Sequence, residues 1–424
     1  MKRRQIIRNI ALGLGALPLT GIAKSKATPL NLNEWAFDLD KSKDEAFWVR
    51  FRKQFYDVSD TFVNLENGFF GVQPLPVLKA YHENMDRVNQ YTSKYMRQQF
   101  NEDKQAILKT LAEFGGTEPE ELLITRNATE ALNILIQGIP LEKGDEIVLQ
   151  HHDYSSMIQT FQMLEKTRGV KLKFVDVPLV PDSPDQIVKI YKNAFSEKTK
   201  CVLLTHLTHL TGQIMPIKQI AKIARSKDID VIVDAAHSFA QLDYKLPDLG
   251  ADFVGVNLHK WFSNPLGAGL MYVKKDRIKD LTPLYGDVSH DNDDIDKLGH
   301  YGTPATPIVM TLSEAAFFNN LVTIPVKEAR LRYLQNYWTS QAKGINRIEV
   351  TTPTDPVQSC ALASFKIEGM DSMDVQKQLD EKFGVFTVIR KLKDDVVIRV
   401  TPNLYNSTAD MDKLLEGLEG IATS

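Results

Sequence analysis

Seven short runs rich in Val, Ile and Leu recur through the middle of the chain, and helical stretches separate several of them. The runs are Leu122–Thr125, Glu146–Gln150, Lys171–Val177, Lys200–Thr205, Asp230–Asp234, Asp252–Val256 and Gly269–Val273. Helices are expected at Ala128–Gly138, Ser155–Arg168 and Ile217–Ser226. Buried strands alternating with helices predict an α/β domain on a mainly parallel seven-stranded sheet. Upstream, Pro74 to Phe114 reads as amphipathic helix, and residues 28–60 as an arm or short helices. From about Pro304 the pattern changes. A long helical stretch, Pro307 to Ala342, precedes strands at Ala361–Ile367 and Val396–Val400, with a helix around Met373–Phe383. That is the pattern of a smaller α+β domain. The expected organisation is a leader at 1–27, an arm at 28–60, a large domain at 61–303 and a small C-terminal domain at 304–424.

Composition narrows the function. A formal net charge of −3 offers no electrostatic reason to expect nucleic acid. Two cysteines, Cys201 and Cys360, form no CxxC pair, so neither a zinc ribbon nor a disulfide framework is expected, and both read as buried thiols. At the N-terminus, Lys2-Arg3-Arg4 is basic, Ile10 to Ile22 is mostly apolar, and Ser25-Lys26-Ala27 offers a small-residue cleavage site. That apolar stretch of 13 residues falls short of the ~20 that a permanent anchor needs. Stable membrane anchoring is therefore not expected. Arg3-Arg4-Gln5-Ile6-Ile7-Arg8 resembles a twin-arginine export signal, which would deliver a folded protein to the periplasm.

Ligands of open parallel sheets bind beyond the carboxyl ends of the strands. Here those ends carry dense polar clusters. They are Thr125-Arg126-Asn127-Ala128-Thr129-Glu130, Gln150-His151-His152-Asp153-Tyr154, Thr205-His206-Leu207-Thr208-His209, Asp234-Ala235-Ala236-His237 and Asn257-Leu258-His259-Lys260. Six of the nine histidines fall in the last four, which a random scatter would rarely produce. Asn127 to Glu130 has the spacing of a capping box, and a helix N-terminus suits a phosphate. Asp234 ends an apolar strand, where a carboxylate needs a partner such as a pyridinium N–H. Lys260 follows the next strand, 26 residues on, with Asn257 and His259 able to bind phosphate beside it. A lysine held near other cations loses proton affinity and becomes an imine-forming nucleophile. Glycines at Pro265-Leu266-Gly267-Ala268-Gly269 permit a close backbone approach.

These pieces resemble the class V aminotransferases among the fold type I enzymes that use pyridoxal 5′-phosphate (PLP), the branch that holds isopenicillin N epimerase and the cysteine desulfurases. The resemblance runs from about Asn64 to the C-terminus and includes His152-Asp153-Tyr154, the Thr205–Gly212 loop, Gly302-Thr303-Pro304 and Arg399-Val400-Thr401-Pro402-Asn403-Leu404-Tyr405-Asn406. It implies roles for particular residues. Lys260 would hold the cofactor as an imine and move the α-proton, Asp234 would pair with the pyridine nitrogen, and His152 would stack on the ring. His237 would bond the phenolic oxygen, with His209 in a neighbouring position. Ala128, Thr129, Asn257 and His259 would hold the phosphate, and Thr303 would reach the phosphate of a partner subunit, which implies a homodimer. Arg399, and Arg390 with it, would bind the substrate carboxylate.

The sequence also departs from the family. Ser or Thr is usual where Ala128 and Asn257 stand, and Gln or Asn where His237 and His209 stand. Desulfurases carry a nucleophilic Cys shortly before the carboxylate-binding arginine. Here that stretch, Ile389-Arg390-Lys391-Leu392-Lys393-Asp394-Asp395, has none, and Cys360 lies 39 residues before Arg399. Persulfide chemistry is therefore not expected. A metallohydrolase using His206, His209 and His151 or His152 would want a Glu in an HExxH helix, and none occurs. The expected function is epimerase-like or aminotransferase-like chemistry on an amino acid or the amino-acid moiety of a peptide-derived metabolite. Lyase or decarboxylating chemistry in secreted siderophore maturation, and PLP binding without turnover, are the alternatives.

Overall fold

A computed structural model describes residues 35–423 apart from 354, 356, 393 and 394, so the expected leader lies outside the described residues. Its strands, in chain order, are β1 (Val63–Asn64), β2 (Leu122–Thr125), β3 (Glu146–Gln150), β4 (Lys171–Val175), β5 (Thr199–Thr205), β6 (Asp230–Asp234), β7 (Phe253–Asn257) and β8 (Gly269–Val273), then β9 (Ile348–Val350), β10 (Ala363–Ile367), β11 (Val385–Phe386), β12 (Val388–Leu392) and β13 (Asp395–Val400). Contacts group Phe37–Ser424 into one compact unit.

The seven apolar runs form one sheet in the order β2-β8-β7-β6-β5-β3-β4. β8 is antiparallel to both neighbours, and the other pairs are parallel. Val202, Leu203, Leu204, Val231, Ile232, Val233, Val254 and Val256 are fully buried. A strand covered on both faces has no reason to alternate apolar with polar, which is why these runs read as continuous. The helices Ala128–Gly138, Ser155–Arg168, Pro184–Ala194 and Ile217–Arg225 fall between the strands. The second sheet, β12-β13-β10-β9, is antiparallel throughout. Its core includes Trp338, Phe365, Ile398 and Val400 with Leu414 and Leu418 of the C-terminal helix Thr408–Ala422.

Both long helices expected from the sequence are broken. Pro74 to Phe114 divides into Leu75–Gln98 and Phe100–Gly115, with Thr92 out of helical geometry at φ 51°. Pro307 to Ala342 divides into Thr306–Val322 and Ile324–Ala342, bent by 72° about Thr323 at φ 66°. Among the described residues, no single helix is long and apolar enough to cross a membrane.

The segment after β1 links the two sheets. β1 pairs in parallel with β11, Glu66 bridges to Thr401, and the Asn67 N–H donates to Thr401 Oγ1 at 2.7 Å. Five residues after Glu66, the Gly71 N–H donates to the His259 carbonyl at 2.8 Å. A Cβ on Gly71 would collide with the Lys260 carbonyl oxygen, so glycine is what lets this segment lie on the Lys260 loop.

Candidate active site

The carboxyl ends of β2, β5, β6 and β7 open onto a cavity of about 190 Å³. Asn127, Ala128, Thr129, Tyr154, Thr205, His209, Asp234, His237, Asn257, His259 and Lys260 line it, together with Phe69 from the linking segment. Eight of the residues singled out from the sequence therefore meet in one place. His152, Thr303, Arg390 and Arg399 lie outside that lining. His152 is buried in the turn after β3. Thr303 is exposed ahead of the helix Thr306–Val322.

Lys260 is half-buried, and its Nζ lies 2.9 Å from His237 Nε2. Burial pushes the amine down to about 7, against the opposing pull of Asp234. The Trp261 indole N–H donates to His237 Nδ1 at 3.4 Å. An indole nitrogen can only donate, so Nδ1 is the acceptor and neutral His237 carries its proton on Nε2. That proton points at Lys260, whose nitrogen must then offer a lone pair. Burial holds His237 well below the usual histidine range, in keeping with a neutral ring.

Trp261 is itself anchored. Buried Lys327 donates to the Trp261 carbonyl and, at 3.0 Å, to Asn319 Oδ1, while Asn319 Nδ2 donates to the Phe262 carbonyl at 2.9 Å. Lys327 and Asn319 sit on the two helices either side of the Thr323 bend, and they grip the backbone just after Lys260.

Asp234, also in the lining, is buried, with Oδ1 accepting from the Ala236 N–H at 2.9 Å. Burial raises its affinity for a proton. Behind it, Asp153 accepts from the Gln150 N–H at 2.8 Å and from Thr205 Oγ1 at 2.7 Å. Burial, reinforced by the Asp234 charge, carries Asp153 up to about 7. The sequence displayed Asp153 within a motif but gave it no role. A polar residue three positions past a strand end was the available signal.

The phosphate-binding expectation needs revision in detail. Asn127 caps its helix by accepting from the Glu130 N–H at 2.8 Å, but Glu130 reaches back to the Arg126 N–H, at 2.7 Å, so the reciprocal capping box is not made. Asn257 Oδ1 accepts from the Ala128 N–H at 2.7 Å. That amide is thus already satisfied, and Thr129 supplies the next one at the helix N-terminus. His259 Nδ1 donates to the Ala268 carbonyl at 3.2 Å, and burial depresses the ring to about 4. Its Nε2 becomes a donor only when the ring takes a second proton, which a nearby dianion would favour.

Arg399 lies just behind the cavity lining, against the lining residue His209. It pairs with Glu66, and its Nη1 donates to the His209 carbonyl at 2.8 Å. Arg390 joins the same carboxylate at 3.2 Å. His209 Nδ1 is buried with no hydrogen-bond partner among the described residues. Cys201 and Cys360 are fully buried, and burial carries the Cys360 thiol up to about 12. Among the described residues, no cluster of His, Cys, Asp or Glu is placed to hold a metal ion.

A neutral lysine, a buried carboxylate and a helix N-terminus lining one cavity define a class of site. It suits an aldehyde with a basic ring nitrogen and an anionic tail. Asp234 answers the ring nitrogen, Lys260 the aldehyde and Thr129 the anion, so the residues present fit PLP. Comparison with known proteins agrees. The family model Aminotransferase class-V matches residues 73–414. The chain belongs to that family, and PLP is its cofactor. It is 23% identical over 330 residues to isopenicillin N epimerase of Streptomyces clavuligerus, covering 74% of this chain and 83% of that one. It is 29% identical over 325 residues to a probable cysteine desulfurase of Halalkalibacterium halodurans, covering 71% and 77%. Apo cysteine desulfurase from Thermococcus onnurineus NA1 superposes with a TM-score of 0.77 at 21% identity, covering 88% and 97%. A C-DES mutant with glycine covalently linked to its PLP cofactor gives 0.79 at 21% identity, covering 87% and 98%.

Proposed function

We propose that this PLP enzyme acts at the amine-bearing carbon of an amino acid, or of the amino-acid moiety of a peptide-derived metabolite, by epimerase-like or aminotransferase-like chemistry. The observation that carries the reading is the Lys260–His237 contact inside a cavity that Asp234 also lines. PLP, when bound, supplies an electron sink that makes the α-proton of an attached amine removable. The chain's residues do the rest. Lys260 would hold the cofactor, and its Nζ is the group placed to carry the α-proton. Asp234 keeps the ring nitrogen protonated. Thr129 and the first turn of its helix, with Asn257 and His259, seat the phosphate, and His152 braces the ring.

Export through the twin-arginine route to the periplasm, and a homodimer in which exposed Thr303 serves the neighbouring subunit, belong to the same proposal. Both thiols are fully buried, which speaks against a cysteine nucleophile. Elimination from a substrate needs no such thiol and starts at the same proton. The test is incubation of holoenzyme with amino acids and short peptides in deuterated water, read by mass spectrometry. Deuterium at the α-carbon, with the amine kept or exchanged for a carbonyl, is the expected result. Release of a β-substituent would replace this reading with a lyase, and absence of any exchange across the panel would refute catalysis at that carbon.

A further inference from the structure

Glu66 is the residue that the roles above leave without a task. It is 7% exposed on its side chain, and its Oε1 is shared by the guanidinium groups of Arg399 and Arg390, the latter at 3.2 Å. Oε2 accepts from Thr401 Oγ1 at 3.4 Å. The Arg399 side chain is 1% exposed. One side of it bonds the His209 carbonyl, and Gly68 lies on the guanidinium so closely that a Cβ there would come within 2.6 Å of Nη2. A carboxylate paired with guanidinium through charged hydrogen bonds is what a bound amino acid would offer an arginine at this place. The chain itself provides that carboxylate, on a segment pinned to β13 and to the Lys260 loop. One carboxylate against two guanidinium groups leaves one positive charge over. Arg390 presents it, at 29% exposure, near Tyr154 of the cavity lining.

We infer that Glu66 occupies Arg399 in place of a substrate α-carboxylate, so that the enzyme accepts a primary amine whose neighbouring carboxyl group is tied up in an amide, as in the first residue of a peptide. This rests on the PLP reading of the site. A free amino acid would have to displace Glu66 from two arginines and leave a third buried charge unpaired, which is costly. An amide brings no such charge. An anionic group farther along the substrate meets Arg390 instead.

The test is calorimetric binding of L-alanine and L-alaninamide to the PLP-loaded protein, with the visible cofactor band and a thermal melt recorded for each variant. Wild type should bind the amide at least tenfold more tightly. Glu66→Gln, which frees Arg399, should gain at least tenfold in affinity for the free acid. The double variant Glu66→Gln, Arg399→Gln should lose that gain, which locates it at Arg399 and avoids an unpaired buried cation. Loaded wild type that prefers the free acid overturns the inference, as does a folded Glu66→Gln with no gain. If Glu66→Gln does not fold, the wild-type comparison decides alone. Absence of the cofactor band in wild type would instead sink the PLP reading beneath it.

Discussion

Inside the cavity the Lys260 amine is pulled down to about 7 by burial, while the Asp234 charge pulls the other way. The neutral amine is the nucleophile. Capture of added PLP by the apo protein, followed in a stopped-flow spectrophotometer, should therefore speed up with pH and level off above a midpoint near 7. Asp234→Asn removes the opposing pull, so its midpoint should move to lower pH. A midpoint near 10 in the native protein would mean that Lys260 is hydrated and unperturbed. The same shift has a consequence for stability. Between about 7 and 10.5 the unfolded chain holds a proton that the folded chain has released, so stability rises with pH through that window as the cost of burying this amine is relieved. Below it the folded protein must bury a charged amine. Much of this site was legible residue by residue, because Asp234, His237, Asn257, His259 and Lys260 each stand just at or beyond an apolar strand. Glu66 was not legible. It lies 333 residues before Arg399, and nothing local in Asn64-Leu65-Glu66-Asn67 distinguishes it from an ordinary loop acid.

At the scale of elements, the seven strands of the large sheet follow from the sequence almost to the residue, since full burial leaves only one composition open to them. The helix breaks follow less directly. Pro325 marks the one at Thr323, since its ring and missing N–H cannot continue a helix, but Thr323 itself, neither proline nor glycine, takes φ 66° and ψ 141°. That region is essentially a glycine conformation, and a β-branched residue there stores about 1–3 kcal/mol. The bend persists because Lys327 and Asn319, one on either side of it, converge on the backbone carbonyls of Trp261 and Phe262. Thr323→Gly should release strain while giving the unfolded chain more freedom, a cost of about 0.4–1 kcal/mol. A net gain of about 1 kcal/mol in urea unfolding is expected. A loss larger than 1 kcal/mol would mean that the threonine side chain, rather than the clamp, sets the bend. The short strands β9 and β12 were missed for a different reason. Only two-sided burial writes a strand clearly into sequence, and Ile348, Val350, Val388 and Ile389 are only partly buried.

For the whole molecule, two sheets and the segment Val63–Gly71 between them place a lysine, a carboxylate and a helix N-terminus around one cavity. Membership of the class V family makes PLP the cofactor, and the function proposed above seats it in that cavity. The broad class was legible because its signature is spread over five strand ends in a fixed order. Phe69, which lines the cavity, and the Glu66–Arg390 pair were not legible, since they reach their places only in three dimensions. Covalent attachment at Lys260 is the claim on which every other assignment depends. Reduction of the PLP-loaded protein with borohydride, then digestion and mass spectrometry, tests it most directly. The reduced adduct should lie on the peptide that contains Lys260, and Lys260→Ala should yield none. An adduct on Lys274, Lys275 or the equally depressed Lys327 would contradict the account.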